Sequence, residues 1–430
     1  MRYLFVHQNF PGQYLHLVRY LAAQGRHEIV FLSERNENAI PGVRKMVYPA
    51  PADPSAALQG SAREFEVAMR RAAVVAQGGR SLRNLGFMPD VIVGHHGWGE
   101  LLDLGDVWPG VPVLGYCEFY YNTEGSDVDF DPEFPTPAAL LPAIRAKNAL
   151  ALLALNNPGQ GQTPTRFQLG TYPAWARERI ALLPEGVDLA RCRPDPAART
   201  RPFRLGAVEV APGARLVTYV ARDLEPYRGF HSLMRALPRI LAECRDAHAV
   251  LVGGDGVSYG SRLAEGTWRE RLLREVGDRL PRGRVHFPGR VDYGDYVRLL
   301  QRSDAHVYLT YPFVASWSLR EALACGCAVV GSDTAPVREF LRPGVNGVLA
   351  PFLDPEQIAD RVLEVLEDAA LAERLRAGAR RYAERHLRLD QSLAAYETLI
   401  ARLAGEATRP PPSRGESRPR PRRARPSPSP

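Results

Sequence analysis

Short apolar runs alternate with amphipathic stretches of helix length almost from end to end, and this alternation constrains the fold more than any single motif. In the first half the runs are RYLFVH from Arg2, HEIVFLS from His27, DVIVGHH from Asp90, VPVLGYCEF from Val111 and RIALLPEGVD from Arg179. Helical patterns at Gln13–Ala23, Ala62–Leu85 and Pro137–Leu155 separate them. The second half repeats the theme with RLVTYVA from Arg215, AHAVLVGG from Ala247, RVHFPG from Arg284, AHVYLTY from Ala305, CAVVGSD from Cys327 and GVLAP from Gly347. Helices are expected to begin near Phe230, Gly266, Asp292, Ser316, Ala335 and Asp354, with further helical segments from Leu371 to about Gly405. Parallel strands need crossover helices, and those helices cover both sheet faces, so this order predicts an α/β fold of two Rossmann-like domains facing each other across a cleft. A chain of 430 residues exceeds one ordinary core and suits two. The expected division is residues 1–190 for the first domain, 191–213 for a Pro- and Arg-rich linker and 214–385 for the second. A helix at 386–405 is expected to pack back toward the first domain, ahead of a tail at 406–430.

Composition removes several classes of function. Hydrophobic residues form 45% of the chain and charged residues 24%, which is globular composition. No run approaches the ~18 apolar residues that cross a bilayer, and Met1–Val6 enters a strand without a leader pattern, so a cytoplasmic protein is expected. The net charge of +7 first suggests nucleic acid, but the tail from Glu406 holds seven Arg and two Glu, leaving only +2 for the body. Eight prolines in that tail predict disorder, either as a solvated extension or as a peripheral contact with anionic headgroups at the inner membrane face. Nucleic acid is not an expected partner. Five cysteines without metal-ligand spacing are read as reduced, buried thiols.

Ligands of doubly wound sheets bind at the carboxyl ends of strands, so residues there carry the functional reading. The first strand ends in VHQNFPGQYLHL, which lacks the dinucleotide fingerprint and argues against hydride chemistry. Pro11, Gly12 and Gln13 form a turn into a helix whose amides can meet an anion or a sugar hydroxyl. In YVARDLEPYRGFHSLMRAL, Arg222 and Arg228 stand six residues apart around a Glu-Pro turn, suited to a doubly charged anion such as a diphosphate. LVGGDGVSYG brings Gly253, Gly254 and Gly256, whose backbone can approach a ligand closely. LTYPFVASWSLREALACGCAVVGSD offers Ser316 or Ser318 as a helix cap and Glu321 within the first turns. Cations, glycine backbone, helix amides and one carboxylate on one rim match a nucleoside diphosphate. Asp127, Asp129 and Asp131 imitate the start of a calcium loop, but Pro132 and Ala138 break it, so an acidic surface loop and no metal are expected.

From Tyr219 to about Asp333, and more loosely to Gly405, the chain resembles the family 4 retaining glycosyltransferases of GT-B architecture. ARDLEPYRGF, GGDG, FPGRV, SLREALACGCAVVGSD and LLPEGVDLARCRP carry the likeness. The resemblance implies that Arg222 and Arg228 hold the donor diphosphate, with Arg in place of the commoner Lys at 228. It implies that Glu321, the second glutamate of the family's E-x7-E motif, accepts from the ribose. Arg290 and the backbone around Trp317, Ser318 and Leu319 complete the donor side. The first glutamate of that motif is replaced by Phe313, a departure at the place of sugar recognition. DVIVGHHGWGE resembles the loop that puts a histidine beside the transferred sugar, and the expected residue is His96. Glu118, at the end of the next strand, is expected to face the acceptor.

The implied function is retaining transfer of a sugar from a nucleoside-diphosphate donor to a saccharide, lipid-linked or small-molecule acceptor, with no cofactor beyond the donor. Polysaccharide or glycolipid synthesis is the expected setting. A nucleotide-sugar-binding subunit without catalysis and a GT-B epimerase of UDP-sugars are the alternatives.

Overall fold

The computed structural model describes residues 1–53 and 60–407, with side chains to Gly405. The tail from Thr408 lies outside the described residues, and with it the expectations of disorder and headgroup contact. The final helix runs through Ala407, two residues past its expected end.

Seven parallel strands form the first sheet: β1 (Arg2–Val6), β2 (Glu28–Ser33), β3 (Val43–Val47), β4 (Val91–His95), β5 (Val113–Tyr116), β6 (Gly159–Thr163) and β7 (Ile180–Leu182). Their order is β3-β2-β1-β4-β5-β6-β7, so the direction of winding reverses between β1 and β4. Successive side chains of β1 point to opposite faces. Tyr3 and Phe5 join Val18, Leu21, Tyr396 and Ile400, from helices Leu15–Ala23 and Leu389–Ala407. Leu4 and Val6 join Val75, Ala76 and Leu82 of helix Gly60–Asn84. Burial on both faces is why β1 reads as an unbroken apolar run.

The second sheet repeats this topology. After a short antiparallel hairpin, β8 (Phe203–Leu205) and β9 (Val208–Val210), come β10 (Arg215–Asp223), β11 (Ala247–Gly254), β12 (Val285–Gly289), β13 (Ala305–Tyr308), β14 (Val329–Ser332) and β15 (Val348–Ala350). Their order is β12-β11-β10-β13-β14-β15, all parallel, with the reversal between β10 and β13. Helices Phe230–Glu243 and Pro355–Glu367 cover one face with Leu233, Leu237 and Val362. Helices Tyr293–Arg302, Trp317–Ala324 and Ala369–His386 cover the other. The hairpin falls inside the stretch expected as linker, yet Phe203, Leu205, Val208 and Val210 share a core with Leu216, Val250 and Leu299. It belongs to the second core. All five cysteines are free and buried.

Several features join the halves. Helix Leu389–Ala407 packs on the first sheet, and Val187 bridges Arg388 at its start. Glu185, just past β7, accepts from Trp317 Nε1 at 2.9 Å and lies 3.5 Å from the buried Arg320 guanidinium. The chain from Phe119 to Phe134, after β5, crosses to the second core. Phe119 packs within that core and Tyr121, Phe130 and Phe134 against it, while Asp131 meets His231 at 2.9 Å and Tyr311 at 2.9 Å. Glu133 pairs with Arg235, and Tyr227 donates to Asp127. The expected acidic surface loop is therefore a docked segment. Asp131 is 2% exposed because aromatic neighbours on the same segment carry it into the other half's core.

Candidate active site

The donor-side elements are built around the end of β10. Its pairing with β11 is irregular between Val220 and Asp223, which takes Arg222 out of the ladder. Arg222 is exposed and has no hydrogen bond or ion pair among the described residues. Arg228 is buried: its Nη1 donates to Thr310 Oγ1 at 2.8 Å and to the Val314 carbonyl at 2.9 Å, and its guanidinium lies 4.8 Å from the Tyr259 ring centre. Gly229 follows in the left-handed region, φ 73°, where its missing Cβ lets the start of helix Phe230–Glu243 close against Leu309. One arginine is free and the other is braced.

Between them stand two carboxylates absent from the sequence reading. Glu225 is fully buried and accepts from three consecutive amides, Ser258 (3.1 Å), Tyr259 (3.2 Å) and Gly260 (2.9 Å). Burial raises its pKa even against those amides. Asp223 accepts from Ser258 Oγ at 2.5 Å and Arg290 Nη2 at 2.8 Å. At the three glycines expected to meet a ligand, the side on which a Cβ would stand is already filled by the protein. A Cβ at Gly253 would meet Leu224 at 2.8 Å, and one at Gly254 would meet Asp223 and Arg290 at 2.6 and 2.8 Å. A Cβ at Gly256 would stand 3.0 Å from Asp223. Arg290 is likewise engaged by Asp223, although its side chain stays 69% exposed.

Helix Trp317–Ala324 departs from its expected role in three places. Ser316 is its N-cap by position, but its hydroxyl turns to Ser318 Oγ at 2.6 Å and makes no capping bond. Leu319 is a core residue, and its amide already donates to the Ser316 carbonyl at 3.3 Å. It is not a free phosphate amide. Glu321 accepts from Tyr293 at 2.7 Å and Tyr296 at 2.8 Å, which leaves a diol only the remaining lone pairs. Burial raises its pKa, with the two phenols opposing. Trp317 is spent on Glu185 of the other half. Phe313 is 2% exposed, with ring centres of Phe119 at 4.7 Å, Tyr259 at 5.1 Å and Tyr227 at 5.3 Å. It is a packing residue where the halves meet, 5.9 Å from the Arg228 guanidinium.

In the first half the histidine assignment shifts by one residue. Alternation along β4 puts Val91, Val93 and His95 on one face, and His96 falls on the other. His96 lies over Gly115, where a Cβ could not fit, and lines a small enclosed space with Leu155 and Val113. Burial lowers its pKa to about 3. His96 is thus a core residue, and His95 holds the rim: its Nδ1 accepts from the Gly97 amide at 2.9 Å and its Nε2 lies 3.5 Å from Glu118. His7, at the end of β1, stacks edge-on to His95 at 6.0 Å, and burial lowers its pKa to about 3. A Cβ at Gly12, φ 55°, would meet the His7 ring at 2.8 Å, so this glycine makes room for the imidazole. Burial works against ionisation of Glu118, but the His95 hydrogen bond and the nearby Lys147 charge hold its pKa below the ordinary carboxylate value. Glu100, fully buried, accepts from the Gln8 amide at 2.5 Å and Tyr48 at 3.0 Å, tying the loops after β1 and β4 together.

His7, His95 and Glu118 thus meet at the reversal of one sheet, and Arg222 and Arg228 at the reversal of the other, with Phe119 and Phe313 in contact between them. Residues 25–192 match the Glycosyl transferase family 4 group, and residues 207–382 match the Glycosyl transferases group 1. The chain belongs to the family 4 glycosyltransferases. A phosphatidyl-myo-inositol mannosyltransferase of Mycolicibacterium smegmatis is 31% identical to this family member over 223 residues, 50% of each chain. The family member spans about half the length of the curated relatives it matches. Among solved structures, sucrose-phosphate synthase from Thermosynechococcus elongatus is similar with a TM-score of 0.72 at 18% identity, over 94% of this chain and 100% of that one. The Anabaena HepE protein in complex with UDP-glucose follows at 0.65 and 17%, over 93% and 100%. These two likenesses concern the fold, and they agree with a GT-B arrangement of two doubly wound sheets. Among the described residues of this glycosyltransferase family member, no helix is long and apolar enough to cross a membrane.

Proposed function

We propose that the protein transfers a sugar, with retention, from a nucleoside-diphosphate donor to an acceptor hydroxyl. The observation that carries this reading is the pair on the turn that ends β10: Arg222, an exposed cation without a partner among the described residues, and Arg228, fixed by two hydrogen bonds. Two such groups at a sheet reversal suit a diphosphate whose charge grows as it leaves. The neighbour solved with UDP-glucose and the mannosyltransferase among the relatives support the same class of donor. The bond from the anomeric carbon to the diphosphate breaks, the acceptor oxygen bonds on the same face, and its proton passes to the departing phosphate oxygen. Because His95 Nδ1 accepts an amide hydrogen bond, its proton sits on Nε2, toward Glu118. Glu118, ionised at neutral pH, is positioned to accept from an acceptor hydroxyl. In this reading the arginines supply the charge that a metal supplies elsewhere, and no cofactor takes part.

Phe313 favours a second reading, a nucleotide-sugar-binding subunit without turnover, because a buried aromatic stands where the family's first glutamate is expected. Incubation with UDP-, GDP- and ADP-sugars, followed by detection of free nucleoside diphosphate and sugar, separates the two. Hydrolysis or transfer of one donor supports the enzyme; binding without turnover, with acceptors present, supports the subunit.

A further inference from the structure

A cavity of about 510 Å³ opens on the first half between the loops that follow β5 and β6, its lining beginning at Tyr120, two residues after Glu118. Tyr120 and Phe167, both partly buried, supply its aromatic surface, and the buried Tyr172 ring backs Tyr120 with ring centres 5.6 Å apart. Asn122 spends both amide hydrogens on the carbonyls of Tyr120 (3.2 Å) and Thr171 (3.1 Å), so its orientation is fixed and Oδ1 is left as an acceptor. Arg177 anchors Nε on the Tyr172 carbonyl at 2.6 Å, while its terminal nitrogens have no partner among the described residues. Glu124 is exposed and also lacks one there. On the same short turn as Arg177, Trp175 is 57% exposed, unusual for the largest apolar side chain. The cavity wall is tied to the rim: Gln168 Nε2 donates to the Glu118 carbonyl at 2.7 Å.

We propose that this cavity binds the saccharide portion of the acceptor, which rests on the transferase reading above. Its volume lies within the range of roughly 300–1,000 Å³ typical of ligand sites. The occupant must offer apolar C–H faces to Tyr120 and Phe167, donors to Glu124 and Asn122 Oδ1, and acceptors to Arg177. A phosphate is opposed by Glu124, and an acyl chain would strip water from Glu124 and Arg177 without replacing it. A pyranose meets all three demands at once. Through Gln168, occupancy also bears on the backbone of Glu118, two residues before Tyr120.

Saturation-transfer NMR with the methyl α-glycosides of mannose, glucose, galactose and N-acetylglucosamine, without nucleotide, tests the proposal on the full chain. At least one glycoside is expected to bind in the millimolar range, and Tyr120→Ala and Arg177→Gln are each expected to weaken it about five-fold or more, the loss of one good contact. The thermal shift produced by UDP reads folding and the donor half separately in each variant. If Tyr120→Ala does not fold, Glu124→Gln, at an exposed position, carries the same comparison. Absence of saturation transfer to every glycoside, or binding indifferent to the substitutions, overturns the saccharide site. A wild-type protein that neither shifts with UDP nor hydrolyses any donor overturns the transferase reading instead, whatever the glycosides do.

Discussion

Arg222 and Arg228 carry the same charge on the same turn, yet their surroundings assign them different consequences. Arg222→Ala removes an exposed side chain that holds nothing in the fold, so thermal stability should stay within about 0.5 kcal/mol of wild type while turnover drops ~100-fold or more. Near-wild-type turnover would remove the diphosphate assignment. Arg228→Ala should cost both, because Thr310 Oγ1 and the Val314 carbonyl lose their donor inside the protein. The two histidines after Gly94 divide in the same way. His95→Asn should lower transfer and, because His95 is as buried as His96, also cost about 1 kcal/mol of stability through the lost ring, while asparagine can still accept from Gly97. His96→Ala should leave a cavity and destabilise by roughly 2–4 kcal/mol, with turnover per folded molecule preserved. Melting curves alongside initial rates distinguish these outcomes, and the opposite pattern would restore His96 as the rim residue.

Among elements, the loop Ser258–Gly260 illustrates how a glycine-rich turn can be held by its own protein. Glu225→Gln replaces charged acceptors for three amides by a neutral oxygen and places an amide group among those donors. The expected result is a stability loss on the order of 2 kcal/mol and faster amide exchange at residues 256–260, because hydrogen bonds to charged groups are roughly twice as strong. Unchanged exchange there would show that the loop is held by its packing alone. Sequence pattern located most elements: starts near Phe230, Asp292, Ala335 and Asp354 fall within about one residue of those observed, because caps and apolar periodicity act locally. Strand β6, GQGQT, gave no signal. Its interior is set by neighbours, with Cys117, Ile180 and Leu155 crowding Gly161 so that no side chain fits there. The hairpin at 203–210 was hidden by its proline- and arginine-rich flanks. His95 could have been found by counting the two-residue period along DVIVGHH from Val91 and Val93, whereas the docking of Asp131 on His231 depends on contacts about a hundred residues apart, which no local pattern encodes.

At the scale of the molecule, three of the five histidines buried among the described residues are strongly held from protonation by burial. Burial lowers the pKa of His7 and His96 to about 3 and that of His306 to about 4, against 6.5 for an ordinary histidine. The unfolded chain therefore takes up protons below pH 6.5 that the folded chain refuses, and stability present at neutral pH is lost as the pH falls through that window. Each such histidine contributes about 1.4 kcal/mol per pH unit until its folded pKa is reached. Melting temperature should thus fall steadily from pH 7 to pH 4, and His306→Asn should flatten the slope; a slope unchanged in that variant would place the proton uptake elsewhere. Helix Leu389–Ala407 has a consequence of another kind. It inserts Leu393, Tyr396, Ile400 and Leu403 into the core of the first sheet, so that core is built from residues at opposite ends of the described chain. On a ribosome, the first sheet must wait, with the apolar face of Tyr3, Phe5 and Phe31 covered only in part by helix Leu15–Ala23, until the whole second sheet has been synthesised. A nascent chain of this design has a long interval in which part of its first core still lacks the residues that complete it.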